Sequence, residues 1–195
     1  DGQSNDVASF TLTVNPVNDA PVIASIADQA IDEDQSLSLD LSASDVDGDI
    51  LTFSASSNNA DVVVDGSSLT VTPGQDFNGP ILVDVSVTDG SETDSTSFTL
   101  TVNPVNDAPV LGALSDGTTD EDVDFTLTLT GSDVDGDDLT YFAQVDGNGS
   151  ASVEGTTLTV SPAADYNGDI EVTITVSDGQ SNDVASFTLT VNPVN

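Results

Sequence analysis

The chain has 195 residues and a formal charge of −35, because 35 acidic side chains face no lysine, arginine or histidine. Cysteine, methionine and tryptophan are also missing. This composition excludes catalysis by His, Cys or Lys, disulfides, and thiolate or imidazole metal sites; it also argues against binding to nucleic acid or anionic membrane surfaces. No apolar run approaches the ~20 residues of a membrane span, and the opening has neither a Met nor a signal-like segment, so the chain reads as an excised fragment.

Residues 1–18, DGQSNDVASFTLTVNPVN, recur unchanged at 178–195, and a close variant spans 89–106. Internal repetition at such a fixed period marks an array. Residues 1–14 then read as the terminal strand of a preceding, truncated repeat and 15–19 as a linker. The first repeat is expected over 20–103, a second linker over 104–107, the second repeat over 108–192, and the start of a third linker over 193–195. The linker segment NPVNDAP is short and stiff, since each Pro confines the residue before it to extended conformations.

Within the first repeat the apolar period is 2 throughout. A first strand follows Pro21, and the acidic triplet Asp32-Glu33-Asp34 comes before a second strand carrying Leu37, Leu39 and Leu41. DVDGD at 45–49 separates this from a third strand with Leu51 and Phe53. Val62 and Val64 mark the fourth strand and Leu69 and Val71 the fifth, with Asp65-Gly66 as a hairpin-turn signal between them. PGQDFNGPI leads into a sixth strand, Ile81 to Val87, and Asp89-Gly90 separates it from a seventh with Phe98, Leu100 and Val102. The second repeat carries the same landmarks in the same order, including Glu154-Gly155 at the hairpin and PAADYNGDI at 162–170. Seven half-buried antiparallel strands with frequent turns predict an all-β fold of two tandem Greek-key sandwiches.

Successive loops of an antiparallel sandwich alternate between its two ends, except where a strand changes sheets. The second-to-third and sixth-to-seventh loops should share the end where the first strand begins. The first-to-second and fifth-to-sixth loops should lie beside the exit of the seventh. The junction between repeats is therefore expected to collect Glu33 and Asp76 from repeat 1, Asn103, Asn106 and Asp107 from the linker, and Asp133, Asp135 and Asp178 from repeat 2. Asn15, Asn18, Asp19, Asp45, Asp47 and Asp89 would form the corresponding half-site at the start of repeat 1. An all-oxygen donor set suits a hard cation taking six to eight ligands at variable geometry, so Ca²⁺ is favoured over Mg²⁺.

Blander readings stand beside this one. DVDGD is also a good solvated turn, and Asp76 and Asp165 could equally serve as Asx-turn residues. An EF-hand does not fit, because Gly48 comes too early and the twelfth loop position is Ser56, or Gln144 in the second copy, rather than Glu. Paired carboxylates raise a glycosidase reading, but end loops of small sandwiches offer no cleft, so a non-catalytic chain is expected.

ASDVDGDILTF at 43–53, SVTDG at 86–90, TVSDG at 175–179 and TLTVNPVNDAP at 99–109 resemble the calcium-binding segments of cadherin repeats. Over essentially its whole length the chain resembles the tandem cadherin-like repeats of large bacterial surface adhesins, whose landmarks occur in this order. The resemblance implies cadherin- or immunoglobulin-like sandwiches in an elongated rod, interdomain Ca²⁺ that rigidifies neighbouring repeats, an extracellular or cell-surface location, and a role in adhesion or biofilm attachment. Asn103, Val105 and Asn106 stand where cadherin linkers carry Asp, Asn and Asp. A module that binds polysaccharide, or another copy of itself, is the alternative. The segment 1–14 also invites strand swapping into an oligomer, because it duplicates the last strand of repeat 2.

Overall fold

Alternation of Val, Leu, Ile and Phe with Thr, Ser and Asp favours a strand with one buried face. The chain, represented by a computed structural model whose described residues are Gly2 and 6–194, is built from such strands. Positions 1, 3–5 and 195, which fall in the expected terminal strand 1–14 and the expected linker start 193–195, lie outside the described residues. There is no helix among the described residues. The chain divides into two compact units, 1–104 and 105–195.

Unit 1 contains β1 (Val22–Ile23), β2 (Gln29–Asp32), β3 (Leu37–Asp40), β4 (Ala43–Ser44), β5 (Thr52–Ser57), β6 (Ala60–Asp65), β7 (Ser68–Pro73), β8 (Gly79–Thr88) and β9 (Thr93–Asn103). One sheet has the order β2-β9-β8-β5; facing it are β3-β7-β6 and the short pair β1-β4. Unit 2 repeats the plan with β10 (Val110–Leu111), β11 (Gly117–Asp120), β12 (Phe125–Thr128), β13 (Gly131–Ser132), β14 (Thr140–Val145), β15 (Gly149–Glu154), β16 (Thr157–Pro162), β17 (Gly168–Ser177) and β18 (Asn182–Asn192).

The seven strands expected per repeat appear as nine elements because the first two are each interrupted. The first strand pairs antiparallel with β4 as β1, then changes sheets and pairs parallel with β9 as β2. Two carboxylates pin the crossing. Ile23 N donates to Asp94 Oδ2 at 2.9 Å, and Thr99 N donates to Asp28 Oδ1 at 2.8 Å. Unit 2 repeats both bonds, from Leu111 N to Asp183 Oδ2 and from Thr188 N to Asp116 Oδ1, each at 2.8 Å.

Each core is filled by the inward positions of β7, β8 and β9 in unit 1 and of β16, β17 and β18 in unit 2. In unit 1 Leu69, Ile81, Val83 and Leu100 are fully buried; in unit 2 their equivalents Leu158, Ile170, Val172 and Leu189 are too. Each such side chain contributes about 1.5–3 kcal/mol. The hairpin between β6 and β7 closes with Asp65 opposite Ser68. Gly66 supplies the single positive φ, +62°, that a two-residue turn with Gly first requires.

Residues 6–14 differ from expectation, because they carry no secondary structure. Val7, Phe10, Leu12 and Val14 are 77–90% exposed. A strand persists only when neighbours pair its backbone and cover its apolar face.

Candidate metal-binding site

Both units place acidic loops at their two ends, and each end is organised by backbone N–H groups. With no cationic side chain available, only neutral donors can hold the carboxylates.

At the N-terminal end of unit 1, Asp45 folds the DVDGD loop around its own side chain. Its Oδ1 accepts from the backbone N of Asp47, Gly48 and Asp49 at 2.9, 2.9 and 3.2 Å. In unit 2, Asp133 Oδ1 accepts from Asp137 N at 3.3 Å. Ligand oxygens of Asp45, Asp47 and Asp49 lie within 4.8 Å of one another, as do those of Asp133, Asp135 and Asp137. The other oxygen of each leading residue, Asp45 Oδ2 and Asp133 Oδ2, is buried and has no hydrogen-bond partner.

The segment entering each unit closes over this loop. Asp19 N donates to Asp47 Oδ2, and Asp107 N donates to Asp135 Oδ2, both at 2.8 Å. Asn18 and Asn106 each donate their side-chain amide to Oδ2 of Asp89 and Asp178 respectively, at 2.9 Å. Within its four-residue turn, Asp178 Oδ1 also accepts from the N of Gln180 and Ser181 at 2.6 Å. These donors hold its carboxyl below the ordinary 3.8, the Ser181 N–H contributing most and the Asn106 amide next. Asp89 is lowered likewise, first by the Glu92 N–H, then by the Asn18 amide.

Thus Asn18, Asp19, Asp45, Asp47 and Asp89 gather at one end of unit 1, and Asn106, Asp107, Asp133, Asp135 and Asp178 at one end of unit 2. Asn15 is exposed and enters none of these bonds. Both oxygens of Asp178 are engaged, whereas Asp133 keeps one open oxygen, so the two differ in what they offer a cation.

The opposite end of unit 1 holds Glu33, Asp76 and Asn103. Glu33 N donates to the Asn103 carbonyl at 2.9 Å, and the Asn103 amide donates to Asp32 at 3.2 Å. Asp76 N donates to Asp34 Oδ1 at 3.2 Å, and both residues have positive φ, 54° and 61°. Asp tolerates that region because its short side chain bonds locally. Glu33 is 4% exposed, the one buried acidic side chain among the described residues. Its counterpart Glu121 is half-buried and accepts from Val194 N at 2.8 Å. Sequence reading missed Asp28, Asp94, Asp116 and Asp183 as strand pins, because isolated aspartates carry no motif.

Two sandwiches with this strand order, repeated in tandem and rimmed by acidic loops, define an immunoglobulin-like repeat chain. The protein belongs to the bacterial Ig domain family, whose profile matches residues 18–103 and 106–192. It is 29% identical over 185 residues to chitinase A of Pseudoalteromonas piscicida, covering 89% of this chain and 22% of that protein. The chain therefore spans under a quarter of that curated relative's length. Among solved structures, Drosophila N-cadherin EC1-4 matches with a TM-score of 0.58 and 16% identity, covering 91% of this chain and 50% of that one. Human protocadherin-24 EC1-2 matches with a TM-score of 0.56 and 16% identity, covering 91% of this chain and 100% of that one. At this identity the likeness shows the fold alone, a tandem cadherin-like sandwich.

Proposed function

We propose that the chain is a non-catalytic spacer of a bacterial cell-surface or secreted adhesin, in which Ca²⁺ bound at the ends of its repeats stiffens the array. The observation carrying this reading is the repeated pair of buried, unpartnered oxygens, Asp45 Oδ2 and Asp133 Oδ2, each within an aspartate triad. Burying a carboxylate oxygen without a donor or counter-charge is costly. With no Lys, Arg or His in the chain, a bound cation is the neutralising group available near neutral pH. The donors are oxygens only, which fits Ca²⁺ and its tolerance of irregular shells of six to eight ligands.

Asn106, Asp107, Asp133, Asp135 and Asp178 would supply ligands at one end of unit 2, and Glu33, Asp76 and Asn103 would supply ligands at one end of unit 1. The Glu33 amide is bonded to the Asn103 carbonyl, which holds these two groups together at that end of unit 1. Asn15, Asn18, Asp19, Asp45, Asp47 and Asp89 would supply the corresponding ligands at the other end of unit 1. Extracellular modules bind Ca²⁺ at roughly 10⁻⁴–10⁻³ M, so the ions would be present outside the cell and lost on chelation. Small-angle scattering with Ca²⁺ and with a chelator tests the proposal. The maximum dimension should change when the ion is removed, and an unchanged value rejects rigidification.

The similarity to a chitinase favours a second reading, in which the repeats belong to a secreted polysaccharide-degrading chain and touch the polysaccharide. Phe142, 55% exposed on β14, is the aromatic side chain of unit 2 most open to such contact. Retention of the chain on chitin, lost in Phe142→Ala, would favour this reading over the spacer.

A further inference from the structure

We propose that the outer face of the unit 2 sheet β11-β18-β17-β14 binds a polysaccharide with free amino groups, a glucosamine polymer; this rests on the reading in which the repeats touch polysaccharide. Phe142, Thr175 and Val184 are cross-strand neighbours on β14, β17 and β18, and the two apolar side chains are each 55% exposed. Two residues along each strand, on the same face, come Gln144, Thr173 and Ser186, with the two hydroxyls 3.0 Å apart. Beyond that row Asp116, Asp146, Asp169 and Glu171 line a concavity of about 390 Å³. Donors of the sheet position three of these carboxylates. Asp116 Oδ1 accepts from Thr188 N and Asp169 Oδ1 from the Thr190 hydroxyl, both at 2.8 Å, and Asp146 Oδ2 accepts from Glu171 N at 3.3 Å.

Unit 1 has the same fold without this face. Its equivalents of Phe142, Thr175 and Val184 are Ser54, Ser86 and Ser95, and Leu82 and Pro80 stand where unit 2 has Glu171 and Asp169. The loop after β5 holds Asn58 and Asn59 in place of Asp146, so Asp28 alone matches an acid of the concavity. Folding therefore does not demand the apolar row or the added charge. With no Lys, Arg or His in the chain, the four like charges have no internal complement, and a cationic partner supplies it. No three of them bring ligand oxygens within 4.8 Å of one another, as the aspartate triads do, so charges spread along a ligand fit better than one small ion. Four residues of β17 separate Thr175 from Glu171, ~14 Å at the rise of a strand, so a ligand touching both rows is an extended chain. The Phe142 ring offers dispersion contact to the C–H face of a sugar. The neutral groups of the middle row suit its hydroxyls, and ammonium groups then meet the carboxylates as charge-assisted hydrogen bonds.

Calorimetric titration of the full chain in millimolar Ca²⁺ tests this with three probes: a glucosamine hexamer, its fully N-acetylated form, and hexalysine. The free-amine glycan should bind about tenfold more tightly than the acetylated one, and added salt should narrow the difference. Asp169→Asn with Glu171→Gln keeps acceptor oxygens while removing two charges. It should weaken glucosamine binding about tenfold and leave the acetylated glycan unaffected. Phe142→Ser, which installs the residue of unit 1, should weaken both glycans. Asp40→Asn with Asp84→Asn, at exposed positions of unit 1, should alter neither; an equal loss there would mean attraction by the whole chain and overturns the site. Equal affinity for the two glycans overturns the free-amine assignment and leaves polysaccharide contact standing, whereas binding of neither overturns both. Hexalysine that binds as tightly as the glucosamine hexamer, with the same loss in the Asp169 and Glu171 variant, overturns the commitment to a glycan.

Discussion

The Asn106 amide donates to Asp178 Oδ2 at 2.9 Å across 72 residues of sequence, and Asn18 makes the same bond to Asp89. The residue that enters each unit is thus fastened to the turn between its last two strands. A carboxylate at position 106 would face Asp178 as a like charge, and a lysine or arginine is used nowhere in this chain. A neutral amide supplies the donor without spending the acidity of the end.

These bonds set a pH dependence. Asp178 is held below 3.8 in the native state by the Ser181 N–H, the Asn106 amide and the Gln180 N–H. A lowered native pKa means that the contribution to stability is complete above the unfolded value and is lost as pH falls through the native one. Asn106→Ala should raise the Asp178 pKa towards 3.8 and leave Asp89 unchanged. Carboxyl chemical shifts followed through an acid titration check this; an unmoved Asp178 would mean that the amide contributes nothing.

Asp135→Asn should change sign with calcium. Two carboxylates within 4.8 Å repel by between about 1 and 3 kcal/mol, depending on solvent screening. Asparagine keeps an acceptor oxygen for Asp107 N while removing the charge. Without calcium, unit 2 should melt at the same temperature or higher than the native chain. With millimolar calcium, its gain in melting temperature should shrink, whereas Asp138→Asn should leave that gain intact. An equal calcium gain in both variants would remove Asp135 from the ligand set.

Much of this architecture was legible from period alone. Ile81, Val83, Val85 and Val87 alternate so strictly that the sixth strand and its buried face could be read directly, and the structure buries all four. The split of the first strand was not legible. It depends on Asp28 and Asp94 accepting backbone N–H groups 71 residues away in each case, a pairing with no local signature. At the acidic ends, loop alternation identified which segments gather in each unit. It could not say that Asp178 would have both oxygens engaged while Asp133 Oδ2 stayed open, because turn geometry, not residue type, makes that difference. The segment 6–14 misled because its pattern is that of β18, but a pattern forms a strand only where a slot exists.

The two cores should fail separately. Leu69 and Leu158 occupy equivalent positions on β7 and β16 and are fully buried. Truncation to Ala costs about 2–5 kcal/mol, so Leu158→Ala should lower the melting of unit 2 and spare unit 1, while Leu69→Ala does the reverse. Amide exchange resolved to β8 and β17 distinguishes the units. Equal loss of protection in both strands from either variant would show that they unfold as one.

Gly155 isolates the cost of backbone geometry from that of packing. Its φ is +60°, and a Cβ built on it meets nothing within 4 Å. Any penalty of Gly155→Ala is therefore conformational, about 1–2 kcal/mol for an L residue held in the left-handed region. For a domain of this size, each kcal/mol moves the midpoint by roughly 4–8 °C. Gly155→Asn should recover part of the loss, because Asn enters that region more readily. Gly66 has φ +62° and equally open space, so Gly66→Ala should reproduce the effect in unit 1. Thermal melts of the two alanine variants, with β8 and β17 protection assigning each transition, check the pair. A Gly155→Ala chain that melts with the native one would mean that the turn relaxes to a different type without strain.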